Sequence, residues 1–286
     1  MQNSEQPLVS VIIASYNHAP YIEASIESVL AQSYPSIELL VIDDGSKDNS
    51  VERIRRLQEL HGFDFRVQEN KGLSRTLNDA IERAQGSLIV PFGSDDIMLE
   101  RISRQVAYLQ DKPGVGICAG NIQEIDGNGD FRAPSQNLPL RRLDFEDVFL
   151  NRKPGAPAPT LMIRREALEK VGGFDEQIRL EDLLIELKIT SAGYSMDILP
   201  DVLAYYRVHA TNTYKNHRLM VDSVLKTYAH FSDHPSYENV CHRFRRSMLL
   251  KCAREDRALA LELLKDLPVR YWNLKVVKAM LRYAGC

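Results

Sequence analysis

The chain has 286 residues, 44% hydrophobic and 26% charged, with a formal net charge of −3. That is the size and composition of a soluble globular protein with one large α/β domain and an appendage, and neither an internal repeat nor a low-complexity tract argues otherwise. The four cysteines (Cys118, Cys241, Cys252, Cys286) form no C-x-x-C pair, which argues against a zinc cluster; so few thiols in so long a chain suggest a reducing cytosol, not a disulfide scaffold. No apolar run approaches the ~18–20 residues that span a bilayer. The polar start Met1-Gln-Asn-Ser-Glu-Gln-Pro7 has no secretory h-region. A cytoplasmic protein is expected, with membrane contact at most peripheral. Charge is uneven: residues 241–286 hold 11 Lys/Arg and 4 Asp/Glu, a net of +7, which leaves −10 for the rest.

In chain order, Val9–Ala14 reads as a strand buried on both faces, because its apolar run is continuous and β-branched. A polar loop, Ser15-Tyr-Asn-His-Ala-Pro20, leads into a helix over Tyr21–Gln32. A second strand over Ile37–Ile42 ends at Asp43-Asp44-Gly45-Ser46, and Ser46 or Asp48 is placed to cap a helix over Ser50–His61. A strand over Phe63–Val67, a helix over Leu73–Ala84 and a strand over Leu88–Phe92 follow. Four strand–helix alternations in about 90 residues predict a doubly wound, mostly parallel sheet with helices on both faces. Such sheets bind ligands beyond the carboxyl ends of their strands, where Tyr16, Asp44, Asp95 and Asp96 fall.

The pattern then changes. Val115–Gly120 and Ile122–Ile125 read as two strands before a turn at Asp126-Gly-Asn-Gly129. Residues 133–159, rich in Pro and Arg, read as loop around a short helix over Asp144–Leu150. A strand over Thr160–Ile163, a helix over Arg165–Val171 and a break at Gly172-Gly173 come next, then a helix over Leu180–Ala192 and a strand over Asp201–Val208. From about Met220 the signal is helical. The expected division is a large α/β domain over 1–214, in two halves over about 7–115 and 116–214, then a helical extension over 215–286.

Ser94-Asp95-Asp96 stands at the exit of a buried strand, where two carboxylates need a partner such as a divalent cation carrying a diphosphate. Together, Val9-Ser-Val-Ile-Ile-Ala-Ser-Tyr-Asn17, Val41-Ile-Asp-Asp-Gly-Ser46, Ser94-Asp-Asp96, Gly172-Gly-Phe-Asp175 and Glu181-Asp182 resemble the family 2 glycosyltransferases of the GT-A fold, in order and spacing, over roughly residues 7–210. The resemblance implies a transferase that moves one sugar, with inversion, from a nucleotide-sugar donor to an oligosaccharide or glycolipid acceptor. It also implies roles. Asp44 contacts the base or ribose above a wall of Ala14 and Tyr16, and Gly72 and Arg75 lie towards the donor. Asp96 binds Mg²⁺ or Mn²⁺ directly while Ser94 and Asp95 face ribose or sugar. Asp182 is the general base, supported by Glu181. His209, in Tyr206-Arg-Val-His209, ligates the metal or touches the diphosphate.

Structural readings stand beside these: Asp44 as a turn residue satisfying backbone amides, Glu181 and Asp182 as first-turn acids favoured by the helix dipole, Arg75 as part of a solvated helix face. The chain resembles rhamnosyltransferases of lipopolysaccharide assembly most, which points to dTDP-L-rhamnose; UDP-hexose, UDP-N-acetylhexosamine or a silent nucleotide-sugar-binding protein are the alternatives. A nucleotidyltransferase would need a Gly-rich phosphate loop after the first strand, which Ala14-Ser-Tyr-Asn-His does not supply. The Gln-x-x-Arg-Trp motif of processive synthases is absent. The tail over Val269–Tyr283 mixes cations and apolar residues at helical spacing, which suits either anionic lipid or a docked helix with a basic outer face. No motif for nucleic acid accompanies its charge.

Overall fold

The computed structural model describes residues 6–135 and 138–284; Cys286 and the first five residues lie outside them. The chain divides into two compact units, Met1–His209 and Ala210–Cys286. The first contains β1 (Val9–Ser15), α1 (Ile22–Leu30), β2 (Ile37–Asp43), α2 (Ser50–His61), β3 (Asp64–Val67), α3 (Leu73–Arg83), β4 (Leu88–Gly93), β5 (Ile97–Met98), α4 (Ile102–Gln110), β6 (Val115–Asp126), β7 (Arg141–Leu143), α5 (Phe145–Phe149), β8 (Met162–Arg164), α6 (Arg165–Lys170), α7 (Glu181–Ser191) and β9 (Ser195–Val208). The second contains α8 (His217–Ala229), α9 (Tyr237–Glu255), α10 (Arg257–Lys265) and α11 (Leu274–Ala284).

The nine strands of the described residues form one sheet, in the order β3-β2-β1-β4-β8-β6-β9-β5, with β7 also paired to β9. The β3-β2-β1-β4 half is wholly parallel. The rest is mixed: β6 and β9 run parallel, while β8 is antiparallel to β4 and β6, and β5 and β7 are antiparallel to β9. The continuous apolar runs of the first half are explained by burial on both faces. Val9, Val11, Ile13, Val41 and Val90 enter one core, while Ile12, Leu40, Ile42 and Ile89 enter the other. Each such side chain contributes about 1.5–3 kcal/mol by burial, so this half is rigid enough to position what stands at its carboxyl rim.

Four expectations need correction. The two strands around Gly120 are a single strand, β6, whose pairing with β9 slips at Asn121. The bulge is held by Asn121, whose amide Nδ2 donates to Leu138 O (2.9 Å) and Pro200 O (2.8 Å). The strand expected from Asp201 begins at Ser195; Pro200 lies in the slipped stretch, where no ladder donor is required. The loop over 133–159 contains β7, tied to β9 by a bidentate pair from Arg142 to buried Asp197 (2.8 and 2.7 Å). Finally, neither Ser46 nor Asp48 is the N-cap residue of α2, which is Asn49, although Asp48 Oδ1 does accept from Ser50 N at 3.0 Å.

Candidate active site

The site begins where the loops after β1 and β2 interlock. Asn17 adopts a left-handed backbone (φ 54°), which Asn tolerates. Its side-chain oxygen accepts from Lys47 N (2.7 Å), and its backbone N donates to Ser46 Oγ (2.8 Å). Ser46 is in turn held by Asp43, and His18 N donates to Ser50 Oγ at 3.1 Å. This knot presents the His18 ring to the turn after β4, where His18 Nδ1 lies 2.7 Å from Ser94 Oγ.

That turn is clamped from the other side by the end of β9. Arg207 N donates to Asp96 Oδ1 (2.9 Å), Arg207 Nε donates to Asp95 O (2.8 Å), and His209 Nε2 lies 2.8 Å from Asp95 Oδ2. Arg207 also reaches Asp126 O and Gly127 O. The His209 ring lies against Tyr21 at 4.9 Å between centroids and edge-on to His18 at 5.6 Å. Gly93 is required here by space: a Cβ would stand 2.6 Å from Asp96 Oδ2 and 3.0 Å from Asp95 Oδ1.

The clamp sorts the two aspartates differently from the sequence expectation. Asp96, assigned there to the metal, is buried (4% exposed) and engaged by the Arg207 amide. The carboxylate that converges with imidazoles is Asp95: ligand atoms of His18, Asp95 and His209 all lie within 4.8 Å of one another. A divalent cation fits this donor set, and two imidazoles suit Mn²⁺ better than Mg²⁺, which prefers oxygen alone. The His18 pKa is lowered, chiefly by burial and against the pull of Asp95, so the ligating neutral ring is favoured.

Behind Asp96 stands Arg101, fully buried, its guanidinium 5.7 Å from the Phe92 ring centroid and without a hydrogen-bond partner among the described residues. Burial pushes its pKa down to about 9. Asp96 is raised well above the usual carboxylate range, first by burial and then by Asp95; its Arg207 hydrogen bond and the charges of Arg207 and Arg101 act the other way. Arg101 thus offsets a carboxylate that otherwise has little reason to ionise. Sequence reading missed it because an Arg just before a helix reads as surface.

Asp44 lies at the same rim, since Ser15 pairs with Asp43 and Ala14 with Gly93. Its carboxylate is occupied by protein: Oδ1 accepts from Gln68 Nε2 (2.8 Å) and Lys71 N (2.9 Å), and Oδ2 from Gly72 N (2.9 Å). The amides belong to a loop some 27 residues on, not to the local turn, and Gly72 needs its positive φ of 87° to present its N–H. Tyr16 is exposed at the end of β1, and Ala14 packs on the core beneath. Arg75 sits on the outer face of α3, 3.7 Å from Glu176; it is not brought to the rim cluster.

Helix α3 connects this loop to the acids of α7. Ser74 Oγ donates to Ile178 O (2.9 Å), and Asn78 clamps Phe174 through both N–H and C=O (3.0 and 2.8 Å). The Gly172-Gly173-Phe174-Asp175 motif is therefore a docked turn, and α7 starts three residues after Ile178, at the rim where α3 begins. Glu181 and Asp182 are half-buried in its first turn. The Asp182 carboxyl is raised by burial, and Glu181 is pushed to about 8 by burial and by the charge of Asp182. One turn on, Glu186 is 4% exposed, forms no side-chain hydrogen bond among the described residues, and is raised well above its usual range by burial and Asp182. The sequence signal for Glu186 was its i+4 spacing from Asp182.

Residues 10–172, more than half of the chain, match the model of glycosyl transferase family 2. The chain is a family 2 glycosyltransferase. This glycosyltransferase is 33% identical over 217 residues to an uncharacterized glycosyltransferase of Nostoc sp., the match spanning 72% of this chain and 66% of that one. It is 29% identical over 220 residues to the O-antigen biosynthesis glycosyltransferase WbnJ of Escherichia coli, covering 73% of this chain and 83% of WbnJ. Among solved structures, the mannosyltransferase PcManGT of Pyrobaculum calidifontis, in complex with GDP-Man and Mn²⁺, aligns with a TM-score of 0.65 at 21% identity, over 98% of this chain and 88% of that one. S. aureus TarS 1–349 in complex with UDP-GlcNAc gives 0.68 at 17%, over 97% and 88%. At such identities the likeness shows the fold, GT-A.

Proposed function

We propose that this glycosyltransferase transfers a single sugar, with inversion, from a nucleotide-sugar donor to a saccharide or glycolipid acceptor in surface-polysaccharide assembly. The reading rests on one observation above all: His18, Asp95 and His209, from three separate segments, converge at the carboxyl rim of the parallel strands. These three residues would hold a divalent cation. When bound, the cation supplies counter-charge to the diphosphate that leaves with the nucleotide. Complexes of GDP-Man with Mn²⁺ and of UDP-GlcNAc in proteins of the same fold support a nucleotide-sugar donor.

The protein's own groups supply the rest. Tyr16 and Ala14 line the approach for the base, and the loop that Asp44 anchors borders it. Asp182 takes the proton of the acceptor hydroxyl as that oxygen bonds to the anomeric carbon and the bond from that carbon to the phosphate oxygen breaks. Glu181, which keeps its proton to about pH 8, supports the acceptor as a hydrogen-bond donor beside the ionised Asp182.

A thermal-shift panel tests the donor: dTDP-L-rhamnose, GDP-mannose, UDP-glucose, UDP-galactose and UDP-N-acetylglucosamine, each with Mn²⁺ and with EDTA. A ligand that binds only the native state raises the transition. The expected result is one nucleotide-sugar stabilising the protein with Mn²⁺ and failing to do so with EDTA. Equal shifts in Mn²⁺ and EDTA would remove the cation from donor binding, and no shift with any member would sink the donor reading.

A further inference from the structure

Helix α11 of the second unit buries only a narrow stripe. Val276 and Ala279 are fully enclosed against the core formed with α9 and α10. The opposite stripe is apolar and open: Leu274 is 78% exposed, Val277 50%, Met280 42% and Leu281 52%. At 100° per residue, Leu274, Val277 and Leu281 fall within about 60° of one another, a single ridge. Lys278, Arg282 and Lys275 follow along one flank of it. Just before the helix, Val269 and Trp272 are also exposed, and the indole N–H of Trp272 is satisfied by Leu267 O at 3.1 Å, so the ring needs no water partner.

The charge of this segment is one-sided. Residues 267–286 contain Arg270, Lys275, Lys278 and Arg282 and no Asp or Glu. Arg270 pairs with Glu238 (3.3 Å) and Arg282 donates to Leu250 O (3.2 Å), while Lys275 and Lys278 have no ion pair among the described residues. A ridge of aliphatic side chains with cations along its flank is what the boundary between acyl chains and anionic headgroups solvates: the ridge enters the apolar layer and the cations meet the phosphates. Eleven residues rise only about 16 Å, far short of a bilayer core, and no helix of the described residues is long and apolar enough to cross a membrane. The helix can therefore only lie along the surface. A second copy is a poorer occupant, because antiparallel two-fold pairing on this ridge brings the two cationic flanks together, and the ridge is small for a stable dimer.

We propose that the exposed face of α11, with Val269 and Trp272, docks this enzyme on the surface of an anionic bilayer. This goes beyond the transfer reaction and is tested without donor or acceptor, so its failure leaves the transferase reading standing. The full chain is floated with vesicles of phosphatidylcholine alone and of phosphatidylcholine with 30% phosphatidylglycerol (about that fraction suffices for a strong surface potential). The wild type is expected to float with the anionic vesicles only, and less at 0.5 M salt (a level that shortens the Debye length to about 4 Å). K278Q/R282Q weakens partitioning on the order of ten- to thirty-fold. The triple variant L274S/V277S/L281S, altered only at exposed positions, abolishes flotation while its thermal transition stays unchanged. Absence of wild-type flotation overturns the proposal, as does equal flotation with neutral vesicles. A dimer in sedimentation that the triple variant dissolves, without flotation, assigns the face to self-association and overturns it too.

Discussion

Two acidic clusters stand at one rim of the sheet, and they are built oppositely. Around Asp95 and Asp96 the protein gathers donors and cations: Arg207 from β9, His209, His18 and the buried Arg101. Around Asp182 it gathers almost none; Glu181 and Glu186 add acid to acid, and the Asp182 carboxyl accepts from the Leu183 amide at 2.8 Å. In the first arrangement cations oppose the burial that still holds Asp96 well above its usual range, and Asp95 is left to face the imidazoles. In the second, burial and acid beside acid raise the carboxyls with no cation to oppose them, which suits proton transfer near neutral pH. Two sets of carboxyls are thus given different surroundings.

The largest effect that separates them is expected from Asp182→Asn. Turnover should fall by about 10²–10⁴ or more, with nucleotide affinity in calorimetry unchanged; loss of both together would show that the clusters do not act separately. Arg101→Met should strip the first cluster of its buried counter-charge, costing on the order of 3–5 kcal/mol at neutral pH. The sign follows from Asp96. Its folded pKa is already raised above 3.8, so the native state holds the extra proton and stability falls as pH rises from there through the folded value. Without Arg101 that folded value climbs further and the window widens, so the variant's deficit in urea unfolding should be larger at pH 7 than at pH 4.5. A deficit independent of pH would mean that Arg101 acts by packing alone.

His18→Ala should weaken Mn²⁺ binding about ten-fold or more, following the scale for residues that shape a metal site, with little change in stability. Unchanged Mn²⁺ affinity in calorimetry, or unchanged nitrogen couplings in the Mn²⁺ electron paramagnetic spectrum, would remove His18 from the donor set. The smallest effect belongs to Glu181→Gln. Glu181 is raised from 4.5 to about 8, so across that interval the unfolded chain has given up a proton that the folded state still holds, and stability falls as pH rises. The Gln variant should show a flatter stability profile between these pH values and should lose any change in turnover near pH 8. A profile as steep as the wild type's would assign the titration to Asp182 or Glu186 instead.

Much of the parallel half was readable along the chain, because strands buried on both faces must be continuously apolar: β1, β2 and β4 were found to within a residue or so at either end. Helix α2 was bounded correctly, stopped by Gly62 in its left-handed conformation. The mixed half was harder. Its strands carry a bulge at Asn121 and a proline at 200, local features that break a pattern without ending a strand. In the site, the acids were found, and His209 and Gly72 with them, but not the pairings they make. Asp95 meets His209 across 114 residues, and Asp44 meets Gly72 across 28.

By itself, the sequence determined the α/β class, the position of the carboxylates at strand exits and the family, since these follow from local periodicity and from motifs short enough to read in line. Tertiary structure alone decided which aspartate faces the imidazoles and which is buried against Arg207 and Arg101, what Asp44 holds, and that Glu186 lies enclosed beside Asp182. Those outcomes depend on desolvation and on contacts between segments distant in the chain, and neither quantity exists until the sheet has brought the segments together.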